Sequence, residues 1–214
     1  MLNLLAVSFA ASAQAVFKGG QAALDRFLQA HIVYPEYSRK NCIEATIQVS
    51  FRIKPDGSVD KVKVHRGEGI DLDDEAVRVV KMTSGQWAIP DRRVKEANMI
   101  LPIHFTPDYS RCATLVGLDR RQAIVAYQNR QELENAVTNY YKNKYAGKAD
   151  TTKENYIQAL KQQLGFDDEL IDDVLDQAQE KLKQGDREGA CTDWKFIHNI
   201  GSNRADSFLA KYCR

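Results

Sequence analysis

The side chains best suited to moving a proton or holding a metal near neutral pH are the four histidines, His31, His65, His104 and His198. No two stand four residues apart, the spacing that sets a pair of imidazoles on one helix face for zinc, so no metal site is expected. Asp167-Asp168-Glu169 and Asp172-Asp173 offer paired carboxylates of the kind that share general acid–base work. They open a segment of helical pattern, where acids answer the positive end of the helix dipole, and that role accounts for them. Gly67-Glu68-Gly69 lacks the strand–glycine–helix context of a dinucleotide loop, and no serine has a base at a recognisable spacing. The chain therefore reads as a non-enzyme, with no catalytic residues, no metal and no cofactor. An enzyme site assembled between two domains is the alternative, and a deep polar pocket with shifted pKa values would favour it.

Cysteines supply the remaining chemistry. Cys42, Cys112, Cys191 and Cys213 are even in number and none forms a C-x-x-C pair, which sets zinc and redox motifs aside. In an exported chain an even set favours disulfides, with three connectivities open. Buried free cysteine acting as a small hydrophobe is the other reading.

Hydrophobic period places the elements that carry these residues. Leu24, Phe27, Leu28 and Ile32 give 21–32 one apolar helix face, and Tyr34-Pro35 stops it. Between 46 and 54, Ile47, Val49, Phe51 and Ile53 alternate with Gln48, Ser50 and Arg52, the pattern of a half-buried strand. Asp56-Gly57 turns the chain into a second strand through Val62 and Val64, and Val59, out of phase with these, implies a bulge or a late start. Asp71 reads as a helix cap, with Leu72, Ala76, Val79 and Val80 as the buried face behind it. A third strand, 98–106, turns Met99, Leu101, Ile103 and Phe105 to one side. Pro102 within it cannot donate to a ladder, so this strand belongs at a sheet edge. The simplest assembly is a three-stranded sheet with the first strand in the middle and both helices on one face.

After Pro107 the pattern changes. From Asp119 onward there is neither proline nor alternation, and helices are expected at 119–145, 151–164, 167–184, 186–199 and 202–212, with breaks at Gly147, Gly165, Gly185 and Gly201. Tyr127, Leu133, Val137, Tyr140 and Tyr141 form the inner face of the first. The fold class is thus α+β followed by an all-α, helical-repeat-like part, divided as 16–110 and 111–214. Two cysteine pairings follow from this layout. Antiparallel packing sets Cys191, near the start of one helix, beside Cys213 at the end of the next. Cys42 just before the first strand and Cys112 shortly after the third share one end of the sheet, a bridge that ties the two parts together.

Bulk properties bound the function. A 214-residue chain with 28% charged residues and a formal net charge of +1 has no basic run with interleaved aromatics, so nucleic acid is not an expected partner. Residues 2–11 are apolar, and Ala13 and Ala15 suit signal-peptidase cleavage after Ala15, although no Lys or Arg precedes the run. A periplasmic location without a stable membrane anchor is the expectation, since a spanning helix needs about 20 apolar residues.

Several segments, in order, resemble the C-terminal domain of TonB energy transducers. These are Phe17-Lys18-Gly19-Gly20 with Ala23-Leu24 and Phe27-Leu28, then Tyr34-Pro35, the hairpin around Asp56-Gly57 with Val62-Lys63-Val64, and Gly67 with Leu72-Asp73 and Glu75-Ala76-Val77. Trp87 with Pro90, and Leu101-Pro102-Ile103-His104-Phe105, complete a resemblance spanning 17–107. Asn41-Cys42-Ile43-Glu44-Ala45 departs from it, replacing two glycines common in that family. The resemblance implies a small periplasmic fold that binds a protein or peptide partner, with outer-membrane transporters as the partner class. It places the docking strand at Asn98, Met99, Ile100, Leu101, Pro102, Ile103, His104 and Phe105, with Ile100 and His104 facing outward. A complete transducer also carries an anchor and a proline-rich span, which this sequence does not display, so the fold and docking mode are what carry over. Residues 178–213, with Gly185-Asp186, Gly189-Ala190-Cys191 and Trp194, resemble the terminal helix pair of tetratricopeptide-like repeats. Self-association into a homodimer through the sheet edge is the competing use of the same strand.

Overall fold

The computed structural model describes residues 15–91, 93–111 and 120–213. The expected signal segment up to residue 14 and the Cys112 half of the expected Cys42–Cys112 bridge lie outside the described residues. Ala15 is described: it is 5% exposed and packs in the first core, so cleavage after it would make Val16 the new terminus and remove that contact.

The first part runs β1 (Val16–Phe17), α1 (Gln21–His31), α2 (Glu36–Lys40), β2 (Ala45–Ile53), β3 (Val59–Arg66), α3 (Asp71–Met82), β4 (Trp87–Ala88) and β5 (Ala97–Phe105). The sheet order is β3-β2-β5, antiparallel throughout, with the expected first strand in the centre. β2 alternates because one face only is covered: Ala45, Ile47, Val49, Phe51 and Ile53 are buried in the first core. Leu24 of α1 and Leu72, Ala76, Val79 and Val80 of α3 join the same cluster. The opposite face of the sheet carries Thr46, Gln48, Ser50 and Arg52, and none of these joins the buried core cluster.

Details depart from the sequence reading in physically simple ways. The chain between Ser50↔Lys63 and Arg52↔Asp60 holds one residue on β2 and two on β3, a bulge at Lys61, whose φ is 51°. Asp71 is not the cap of α3. Its carboxylate lies in the first turn and accepts from the N–H of Ser38 at 3.2 Å and from the Ser38 hydroxyl, fastening α2 to α3. Asp73 instead accepts the N–H groups of Glu68 at 3.0 Å and Gly69 at 2.9 Å. That clasp explains the glycines, since a Cβ at Gly67 would lie 2.3 Å from an Asp73 carboxylate oxygen. Pro35 ends α1 and also precedes α2, a five-residue helix the apolar period cannot reveal. β1 and β4, two residues each, pair Phe17 with Trp87 and close the core's edge.

The second part is helical: α4 (Arg120–Tyr145), α5 (Glu154–Gln163), α6 (Asp168–Lys183), α7 (Arg187–Asn199) and α8 (Asp206–Tyr212). Gly147, Gly165, Gly185 and Gly201 follow helix ends with positive φ, the left-handed conformation that lets the last carbonyls be satisfied. At Gly201 a close approach adds to this, because a Cβ there would meet the Tyr141 ring at 2.3 Å. α8 starts later than expected because residues after α7 are spent on its end: the Ser202 N–H bonds Ile197 O and the Gly201 N–H bonds His198 O. Cys191 and Cys213 form a disulfide with Cα atoms 5.7 Å apart, and Trp194 stacks on Phe208 and Tyr212 beside it.

The apolar face of α4 does not serve a single core. At about 1.5 Å per residue its 26 residues span about 39 Å, enough to reach both clusters. Ala123, Ile124 and Tyr127 pack into the first core, whereas Val137, Tyr140 and Tyr141 belong to the second. Polar contacts lace the two parts together: Arg39–Asp173 at 2.9 Å, Arg78–Asp186 at 2.9 Å, and the Tyr37 hydroxyl donating to Ala123 O at 2.8 Å.

Candidate functional site

β5 pairs with β2 over its whole length, from Ala45↔Phe105 to Ile53↔Ala97, and among the described residues no strand pairs with its other side. Leu101, Ile103 and Phe105 are buried and Met99 packs against the same core, so the side chains of these four residues are turned away from a partner. Asn98, Ile100, Pro102 and His104 are exposed on the uncovered face, with Ile100 at 50%. Pro102 stands opposite Gln48. A proline costs a ladder least where its nitrogen faces away from the neighbouring strand. Backbone orientation repeats every second residue, so Asn98, Ile100 and His104 share that outward direction. A row of donors and acceptors is thus presented along the edge, with one gap at Pro102. Thr46 and His104 meet across the strands, Oγ1 to Nδ1 at 2.9 Å, and the Tyr109 hydroxyl donates to Glu44 just beyond the strand.

The other edge is built differently. β3 is interrupted by the bulge at Lys61, and Lys61, Lys63, His65 and Arg66 are exposed along it. Bulges and lysines are the features that discourage edge pairing. On the central strand Arg52 reaches both ways, to the Asp60 carboxylate through Nε and Nη2 at 2.7 Å and to Glu96 at 2.7 Å. These bonds, with Lys54 nearby, hold the Asp60 carboxyl well below the usual carboxylate range and push Arg52 upward. A trough of about 890 Å³ lies over this part of the face, between Lys61 and Lys63 on one side and Asn98 and Ile100 on the other.

A second concavity, of about 920 Å³, separates the sheet-bearing part from the helical part. Its lining includes Tyr37, Tyr127, Leu170, Val174, Phe196 and Arg78. Arg78 donates to Glu75, to Asp186 at 2.9 Å and to His31 O, while Lys181 is paired with Asp193 at 2.8 Å. Burial raises the carboxyls of Asp71 and Asp193. The cleft therefore has the position and shifted groups that an interdomain enzyme site would show. It does not bring a nucleophile and a base together among the described residues. Ser38 bonds Asp71 with no histidine beside the pair, and the Tyr37 hydroxyl is committed to a backbone carbonyl.

The histidines remain apart. His31 lies within hydrogen-bond distance of Phe27 O, His104 bonds Thr46 and His198 bonds Asp206, and no group of three metal-ligating side chains forms among the described residues. Asp167 caps α6 by accepting from Leu170 N–H, while Asp172 meets Arg204 and Asp173 meets Arg39 and Lys40. The ion pair between α2 and α6 is a contact that sequence reasoning missed, and no local pattern announces a pairing of residues 39 and 173.

No described helix is long and apolar enough to cross a membrane. Residues 30–107, from the end of α1 to the close of β5, match the family described as Gram-negative bacterial TonB protein C-terminal. The solution NMR structure of the Helicobacter pylori TonB C-terminal domain aligns at 25% identity over 39% of this chain and 76% of that one, with a TM-score of 0.34. A search of curated proteins returns no match.

Proposed function

We propose that this chain, whose residues 30–107 are a TonB C-terminal-like segment, is a periplasmic protein-binding module. It takes up an extended peptide of a partner by strand addition at β5. The observation that carries the reading is the outer side of β5, nine residues long, unpaired among the described residues and carrying half-exposed Ile100. Added backbone bonds supply affinity, and the outward side chains of Ile100 and His104 select the peptide. An outer-membrane transporter is the partner class, and the helical part is a second protein-interaction surface. Among the described residues, polar contacts of the helical part reach α2 and α3 of the first part, through Arg39, Tyr37 and Arg78.

The test is a pull-down from envelope extract, comparing the wild-type chain with Ile100→Pro. The substitution removes one outward N–H and leaves the ladder to β2 in place, which circular dichroism verifies. Capture of a transporter by the wild type alone supports strand addition, and equal capture by both moves the site away from β5. A second copy of the chain is the competing occupant of the edge. A mass that rises with protein concentration, and stays at the monomer value in Ile100→Pro, would replace the peptide by a homodimer.

A further inference from the structure

The uncovered face of the sheet is charged asymmetrically. Arg52 at its centre is closed off by Asp60 and Glu96, and Lys54 shares Asp60 at 3.3 Å. Every carboxylate at the middle of the face is thereby used. Lys61, Lys63 and Arg66, exposed along β3, form no ion pair among the described residues. Register puts Lys63 on this face, because it stands opposite Ser50, and Arg66 follows opposite Gln48. Across the sheet from these cations stands Ile100, half exposed, with the Asn98 amide next to it. The trough between them is about 890 Å³, a volume in the range of sites that hold several side chains.

We propose that this face is a second docking surface, taking an acidic extended segment of a protein partner along the trough, with carboxylates toward Lys61 and Lys63 and an apolar residue on Ile100. Charge complementarity chooses the occupant. Side chains on one face of an extended segment recur about every 6.8 Å, the same step that separates outward side chains on β3. The Asn98 amide offers hydrogen bonds to a peptide backbone, which a lipid surface would leave unused. Protection of the β3 edge does not by itself call for the lysines to face the trough, since the bulge at Lys61 already breaks the ladder. The proposal differs from strand addition at β5 in what holds the peptide: Lys61 and Lys63 on the face of the sheet, where strand addition relies on backbone groups at its rim, and Ile100 is shared by both.

The test uses the full chain and a fluorescently labelled peptide of alternating glutamate and valine, read by anisotropy at low and high salt. Wild type binds, and binding weakens as salt screens the exposed charges. Lys61→Glu/Lys63→Glu lowers affinity about tenfold or more through like-charge repulsion. Lys61→Gln/Lys63→Gln gives a smaller loss and covers the case in which reversal perturbs the bulge. His104→Pro, which blocks the β5 edge outside the trough, leaves binding unchanged. Unaltered affinity in both lysine variants overturns the proposal. So does loss in His104→Pro with retention in the lysine variants, which would place the peptide on β5. Binding of phosphatidylglycerol vesicles in preference to the peptide would also overturn it, in favour of an anionic membrane.

Discussion

Replacing Cys191 and Cys213 together by serine removes the cross-link between α7 and the end of α8, across a sequence separation of 22. Loop-closure entropy for a loop of that length is worth about 3.4 kcal/mol at 25 °C. The loss should fall on α8 alone, because its seven residues are too few to persist as an isolated helix and none of them is fully buried. Phe208, Leu209 and Tyr212 only lean on the second core, whereas Trp194 beneath them is 0% exposed and held by the rest of the bundle. At about 1.4 kcal/mol per factor of ten, amide protection in 206–212 should drop roughly 300-fold. Protection in α6 and the middle of α7 should change little. Hydrogen exchange read by mass spectrometry on the double variant separates the two regions. Protection of α8 kept within about tenfold of wild type would mean that stacking on Trp194 holds the helix, contrary to this reasoning. Equal loss across α4 to α7 would mean that α8 does not open on its own.

Arg78→Met should cost about 3–5 kcal/mol in urea unfolding, because it leaves Glu75, whose side chain is 3% exposed, as an unpaired buried charge. Arg78→Met/Glu75→Gln should recover much of that loss, and failure to do so would shift the cost to the Asp186 contact. Asp60 titrates well below the usual carboxylate range, so its ion pairs stabilise the fold above the ordinary carboxyl pKa of 3.8 and that contribution is lost only as pH falls through the depressed value. Its carboxyl carbon should show no NMR inflection near pH 3.8, and Arg52→Gln should move the inflection back toward that value. Gly201→Ala should lower the unfolding free energy, read by urea denaturation, by at least the ~1–2 kcal/mol of a left-handed residue, since φ is +87° and the Tyr141 ring must also shift.

Strict alternation from Ile47 to Ile53 was enough to place β2 and the buried face, because a half-covered sheet imposes period two on its central strand. Pro102 placed β5 at the edge, since only an edge tolerates a missing donor. The glycines at 147, 165, 185 and 201 marked the helix ends, where a left-handed residue is needed. Signals of this kind are local and survive in one dimension. α2, β1 and β4 escaped notice because segments of two to five residues carry no period. Asp71 looked like a cap because its neighbours are acidic, yet its carboxylate turned to Ser38, a partner 33 residues away.

Sequence alone thus determined the order of the longer elements, the buried faces of β2 and α3 and the edge that β5 occupies, all of which follow from backbone chemistry and local period. Tertiary structure alone decided how the two parts meet. The division of α4 between two cores, the seating of Arg78 between Glu75 and Asp186, and the unanswered lysines facing Ile100 join residues that lie far apart along the chain. Such pairings depend on which faces the packing brings within about 4 Å of each other, and no short-range pattern encodes that.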